Sequence, residues 1–141
     1  MGLPVAAHPV RPGVVVATAG AIAVAVTSFL PWATSGRASR TSYELVDAVE
    51  RLDVLDGVGA AIAPAWYLVP LLAAAAFLAA VLGRTLLVAA SAAFVGTAAI
   101  LFAVAVNSSP LSADVGCAAA VLAGVVSVAG AGVAVSQRSA R

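Results

Sequence analysis

Lysine is absent from this chain, cysteine and histidine occur once each, and charged side chains make up only 9% of its 141 residues. Soluble domains carry about 25% charged residues, so water is not the solvent in which most of this polypeptide is arranged. Cys117 stands alone, which excludes an intrachain disulfide and every redox or metal site that needs two thiols. His8 lies in the N-terminal tail, leaving no histidines for haem or metal ligation among the apolar runs. Seven arginines against six acids leave a net charge of +1, too little basic field to hold a phosphate backbone, so nucleic acid is not an expected partner. The apolar runs also lack ionisable residues, whereas proton-coupled transporters keep such residues in the membrane despite a cost of several kcal/mol. No catalytic, cofactor-binding or metal-ligating set follows, and the expectation is a protein that is not an enzyme and carries no cofactor.

What the chain has instead is 63% hydrophobic residues, gathered into long uncharged runs near the roughly 20 residues that cross about 30 Å of hydrocarbon. The pattern predicts an all-α integral membrane four-helix bundle, one transmembrane domain over 1–141, with spans at about 14–31, 62–82, 85–106 and 117–135. A cleaved signal peptide is the rival reading of the first run, but signal cores are only about 7 to 15 residues long. Pro70 is expected to kink the second span or to place a break near the membrane face. Gly83 and Arg84 are expected to turn a tight hairpin into the third. Arg11, Arg84, Arg138 and Arg141 fall on one side of this arrangement, and Arg37, Arg40 and Arg51 on the other. All six acids share the second side. Basic flanks tend to stay inside, so the expectation is a multi-pass protein of the cell membrane with both termini cytoplasmic. Trp32, Trp66 and Tyr67 are expected to be lipid anchors at the outer interface.

The loop 32–61 is the only sizeable polar stretch, and its centre predicts a short amphipathic helix over about 42–56. Thr41 and Glu44 fit a capping box, and Gly57 fits a C-terminal stop. Leu45, Val46, Val49, Leu52 and Leu55 form an apolar stripe, with Glu44, Asp47, Glu50, Arg51 and Asp53 opposite. Arg51 can pair with Asp47 one turn earlier. Two roles fit this helix: a lid packed on the bundle, or a docking surface whose candidate residues are Glu44, Asp47, Glu50 and Arg51. Anionic lipid does not suit an acidic face.

Small residues recur every four positions at Gly13, Ala17, Ala21 and Ala25, at Ala89, Ala93 and Thr97, and at Ala119, Ala123, Ser127 and Ala131, the pattern that lets helix backbones approach in lipid. Thr27, Ser28, Ser91, Thr97 and Ser127 are expected to bond carbonyls of their own preceding turn, and Cys117 to be a small apolar filler. The segment Phe29, Leu30, Pro31, Trp32, Ser35, Gly36, Arg37, Ser39, Arg40, Thr41, Ser42, Tyr43, Glu44, Leu45 resembles the first outer loop of uncharacterised four-span membrane proteins of high-GC bacteria. That resemblance implies four spans and an outward first loop, and no activity. The functional expectation is a noncatalytic accessory or scaffold subunit whose partners are the bilayer and other membrane proteins or its own copies. A small transporter or channel subunit for an uncharged or lipidic solute is the alternative.

Overall fold

The computed structural model describes residues 11–51, 64–109 and 111–140. Alanine-rich runs are strong helix formers, and the chain is mainly helical. Helix α1 covers Pro12–Thr27 and strands β1 and β2 cover Pro31–Ser35 and Ala38–Thr41. Helix α2 follows at Ser42–Arg51. A 3-10 turn at Trp66–Leu68 leads into α3, Val69–Val81, and α4 is Thr85–Asn107. Strand β3, Ser112–Ala113, precedes α5, Val115–Ser139. The predicted helix residues 52–56, the stop at Gly57 and span residues 62–63 lie outside the described residues.

Helices α4 and α5, 23 and 25 residues long, are long and apolar enough to cross a membrane. Helix α1, with 16 residues, and α3, with 13, are apolar but shorter. The first run does not stay helical to residue 31: α1 ends at Thr27, and Pro31 already belongs to a strand. In the second run residues 64–65 are helical, the 3-10 turn Trp66–Leu68 follows, and the regular segment α3 begins at Val69. Pro70 sits there at the second helical position, where its missing N–H removes no helix bond. It therefore marks a break at the helix entrance and not a kink in the interior.

The turn after α3 follows the expected hairpin. Gly83 adopts φ 69°, its N–H donates to the Ala80 carbonyl, and the Arg84 N–H reaches back to Ala79 O at 2.7 Å. This is a Schellman ending, and the left-handed residue at its hinge favours glycine.

Helices α1 and α4 both pack along α5, and α3 lies against α4 and α1. The contact surfaces are built from the smallest residues. A Cβ added to Gly13 would lie 2.5 Å from Ala134 N, and one on Gly20 2.5 Å from Ser127 N. A Cβ on Gly130 would overlap the backbone of Ala17. On the other side of α5, a Cβ on Gly96 would meet Gly124 O at 2.6 Å, and one on Gly124 would meet Gly96 O at 2.8 Å. The stripes largely follow the predicted four-residue spacing but drift around each helix. Ala17, Ala21, Ala89, Ala123, Ser127 and Ala131 are buried, whereas Thr97 is exposed and Gly96 takes its place.

Ser127 departs from expectation. It does not bond its own helix: its Oγ donates to Ala92 O of α4 at 2.8 Å and lies 3.4 Å from Ala17 O of α1. Close approach brings carbonyls of two neighbouring helices within reach, so one hydroxyl ties three helices. Cys117 is buried, with Sγ 3.6 Å from Ala103 O.

Gly20→Leu is expected to destabilise the protein by at least about 2 kcal/mol, because the added side chain must displace the α5 backbone. Gly132→Ala, where a Cβ meets nothing within 4 Å, should be neutral or slightly stabilising by helix propensity. Thermal unfolding in detergent would separate the two; equal effects would show that the close helix contact is not formed.

Candidate functional site

At the end of the helices opposite Arg11, the described parts of the two connecting segments, residues 28–51 and 111–114, fold into one cap. Ser35 pairs with Ala38 around a two-residue loop in which Gly36 has φ 63°, the positive φ that tight hairpins require. Strand β1 then pairs on its other edge with β3, through Ala33 with Ala113 and Thr34 with Ser112, giving an antiparallel sheet ordered β2-β1-β3. A bulge interrupts the β1-β2 register between Pro31 and Ala33, at Trp32. Side chains normally alternate across a strand, and a bulge re-aims them. Here it turns two successive residues inward, so that Trp32 is 0% and Ala33 1% exposed.

The ring of Trp32 packs 5.3 Å from Phe102 and 5.4 Å, edge-on, from Trp66, while Trp66 stacks on Phe102 at 4.5 Å. Each such pair contributes about 0.5 to 1.5 kcal/mol beyond its buried area. The Trp32 indole N–H donates to Thr27 O at 2.8 Å, sharing that carbonyl at the end of α1 with the Leu30 N–H at 3.1 Å. Gly116 makes room for this arrangement, since a Cβ there would overlap Pro31 O and lie 2.8 Å from Trp32 Cδ1. Trp32 and Trp66 are therefore not the interfacial lipid anchors that their sequence positions predict: both are buried, Trp66 at 4% exposure, in an aromatic cluster beneath the cap. Tyr67 alone of the three is exposed, at 45%.

Helix α2 rests on this cluster through Leu45 and Val46, both buried. Its first turn is closed as the sequence suggests. Thr41 N–H donates to Glu44 Oε2 at 2.7 Å, and Glu44 N–H lies 3.4 Å from Thr41 Oγ1. Beneath that turn runs a polar chain that sequence reasoning did not identify. The Trp66 indole N–H donates to Ser42 Oγ at 2.9 Å, and Ser42 Oγ donates to Ser28 O at 2.6 Å. Ser28 Oγ donates to Ala25 O at 2.7 Å and so accepts from Tyr43 OH at 3.0 Å. Ser28 and Ser42 are fully buried, and each hydroxyl has its partners, as buried polar groups require. The only sequence signal was small hydroxyl residues beside aromatics.

The outer face of α2 carries the predicted residues. Glu44, Glu50 and Arg51 are exposed, and Asp47 is half-buried. Asp47 is clamped from two sides: Arg51 Nη2 donates to Oδ2 at 2.9 Å and Tyr67 OH to Oδ1 at 3.0 Å. The exposed ion pair alone adds only about 0.3 to 0.5 kcal/mol; the tyrosine fixes the carboxylate to the start of the helical run into α3. Arg40 joins Glu44, Asp47, Ala48 and Arg51 around a shallow polar depression. The surface thus offers oriented charges of both signs. Among the described residues, no group of three or more His, Cys, Asp or Glu is placed to hold a metal ion. A separate apolar groove of about 690 Å³ runs between α1 and α3, lined by residues including Ile22, Val26, Phe29, Pro70, Ala73 and Phe77.

The Thr41 amide, then its hydroxyl and the charge of Arg40, hold the Glu44 carboxyl below its ordinary value of 4.5. A depressed carboxyl stabilises the fold above its ordinary value, and this contribution is lost as pH falls through the lowered one. Acidification below 4.5 should fray α2 in the wild type, while Glu44→Gln should remove that component, as followed by amide NMR of residues 42–48; an unchanged acid profile in the variant would count against the cap. Ser42→Ala, which strips partners from Trp66 and Ser28, should cost about 1 to 3 kcal/mol and shift the tryptophan fluorescence. A silent substitution would show that the polar chain is not formed. No protein-family model, no curated protein and no solved structure matches the chain.

Proposed function

We propose that this chain is a noncatalytic, multi-pass protein of the cell membrane, an accessory or scaffold subunit that meets a partner membrane protein through the outward face of α2. In this reading α1 and the helical run into α3 cross the bilayer alongside α4 and α5, giving four spans with both termini cytoplasmic and the cap outside. The resemblance of the segment around Pro31 and Trp32 to four-span proteins of high-GC bacteria agrees with that frame.

The observation that carries the proposal is the way the acidic face is held. Glu44 is engaged by the helix cap, Asp47 by Arg51 and Tyr67, and α2 as a whole by Leu45, Val46 and the buried chain through Ser42. Fixed charges on a supported element lose little entropy on binding and suit selective recognition. Lid and docking surface are then two faces of one helix, the apolar stripe serving the first and the carboxylates the second. The small-residue stripes are a weaker docking candidate, because much of their length is buried within the chain.

A photocrosslinking side chain at Glu50, exposed and outside the Asp47 clamp, should capture one discrete partner in native membranes, whereas the same probe at lipid-facing Leu101 should not. A solitary monomer with no adduct from the cap would remove the proposal. In a Cys117→Ala background, a cysteine at Arg37 should react with an impermeant thiol reagent in intact cells and one at Arg138 should not; the reverse result would invert the orientation.

The apolar groove with Pro70 in its wall favours one second reading, a transporter subunit for a lipidic solute. It requires flux in reconstituted liposomes that changes on Pro70→Ala.

A further inference from the structure

The end of the molecule away from the cap is built from the start of α1, the turn between α3 and α4, and the close of α5. Two long-range bonds fix it: Arg11 Nη1 donates to Thr85 Oγ1 at 2.7 Å, and Gly13 N–H lies 3.4 Å from Gln137 Oε1. Arg11 and Arg84 therefore flank Thr85, and Arg138 follows the glutamine beside them. Every carboxylate among the described residues, Glu44, Asp47, Glu50 and Asp114, lies at the cap end, and residues 1–10 contain no acid. The one ion pair among the described residues is Arg51 with Asp47, also at the cap. Among the described residues, Arg11, Arg84 and Arg138 thus lie at this end with no carboxylate paired to them.

We propose that this end binds the phosphate of an anionic phospholipid between Arg11 and Arg84, with Arg138 strengthening the field. The inference rests on the membrane reading above and adds a lipid class to it. The bond to Thr85 orients the Arg11 guanidinium and, among the described residues, engages only one of its five donors. Arg84 is exposed at the turn, and a planar guanidinium matches phosphate oxygens in pairs. Both side chains spring from helix ends, where headgroups of the adjacent leaflet lie.

The test is a titration of the protein, purified in a neutral detergent, with phosphatidylglycerol or phosphatidylcholine, read by native mass spectrometry and by thermal unfolding. Phosphatidylglycerol should bind more tightly and raise the unfolding temperature, and added salt should weaken it. Arg84→Gln should weaken binding about fivefold, Arg84→Lys less, and Arg37→Gln at the cap should change nothing. Equal binding of the two lipids, or no effect of Arg84→Gln in a variant that unfolds like the wild type, would overturn the proposal. Inorganic phosphate reproducing the stabilisation without lipid would also overturn it, by assigning the arginines to a soluble anion. A protein that stays in solution without detergent would instead refute the membrane reading itself.

Discussion

Backbone contact between α5 and its two neighbours is the constraint on which the rest of the structure depends. Gly13, Gly20 and Gly130 bring α1 and α5 so close that a methyl group would not fit, and Gly96 and Gly124 do the same for α4 and α5. Where hydrocarbon replaces water, apolar burial no longer drives helices together, and short separation with its dispersion contacts must supply the attraction. The same closeness explains Ser127: only at that distance can one short hydroxyl reach carbonyls of two other helices. Much of the outward surface is left to larger side chains such as Leu71, Phe77, Leu101 and Leu122, which suit acyl chains better than a close helix partner.

The cap follows a different rule. Indole N–H groups and serine hydroxyls are taken out of water there, and each has a partner in the Trp66, Ser42, Ser28 and Tyr43 chain or at Thr27 O. A half-satisfied set would cost more than it contributed. The aromatic cluster supplies apolar area, and the polar chain fixes which way α2 lies on it. An acidic surface with defined charge positions is the outcome.

The parts of this arrangement that were legible in the sequence are those set by neighbours in the chain. The Thr41 and Glu44 cap, the Arg51 and Asp47 pair, the Gly83 turn and the four-residue spacing of small residues all act over one turn of helix. The sheet was not legible, because β1 and β2 are short and mostly polar, and the residues that complete β1, Ser112 and Ala113, lie some eighty positions away. Gly36 after Ser35 was the one local hint of a hairpin. Trp32 misled because a tryptophan ending an apolar run matches an interfacial anchor in every respect except direction, and direction here is decided by a bulge that only strand pairing creates. Trp66 depends in turn on Trp32, Phe102 and Ser42, residues from three separate segments.

Strand β1 is paired on both edges, to β2, which runs directly into α2, and to β3, which runs directly into α5. The bond from Asp114 N–H to Trp32 O extends that seam to the residue that caps α5. Residues 31–41 and 112–114 are consequently one mechanical piece. Along this path a pull on the acidic helix is delivered through two ladders of hydrogen bonds to the first turn of the longest helix, which runs from one end of the molecule to the other.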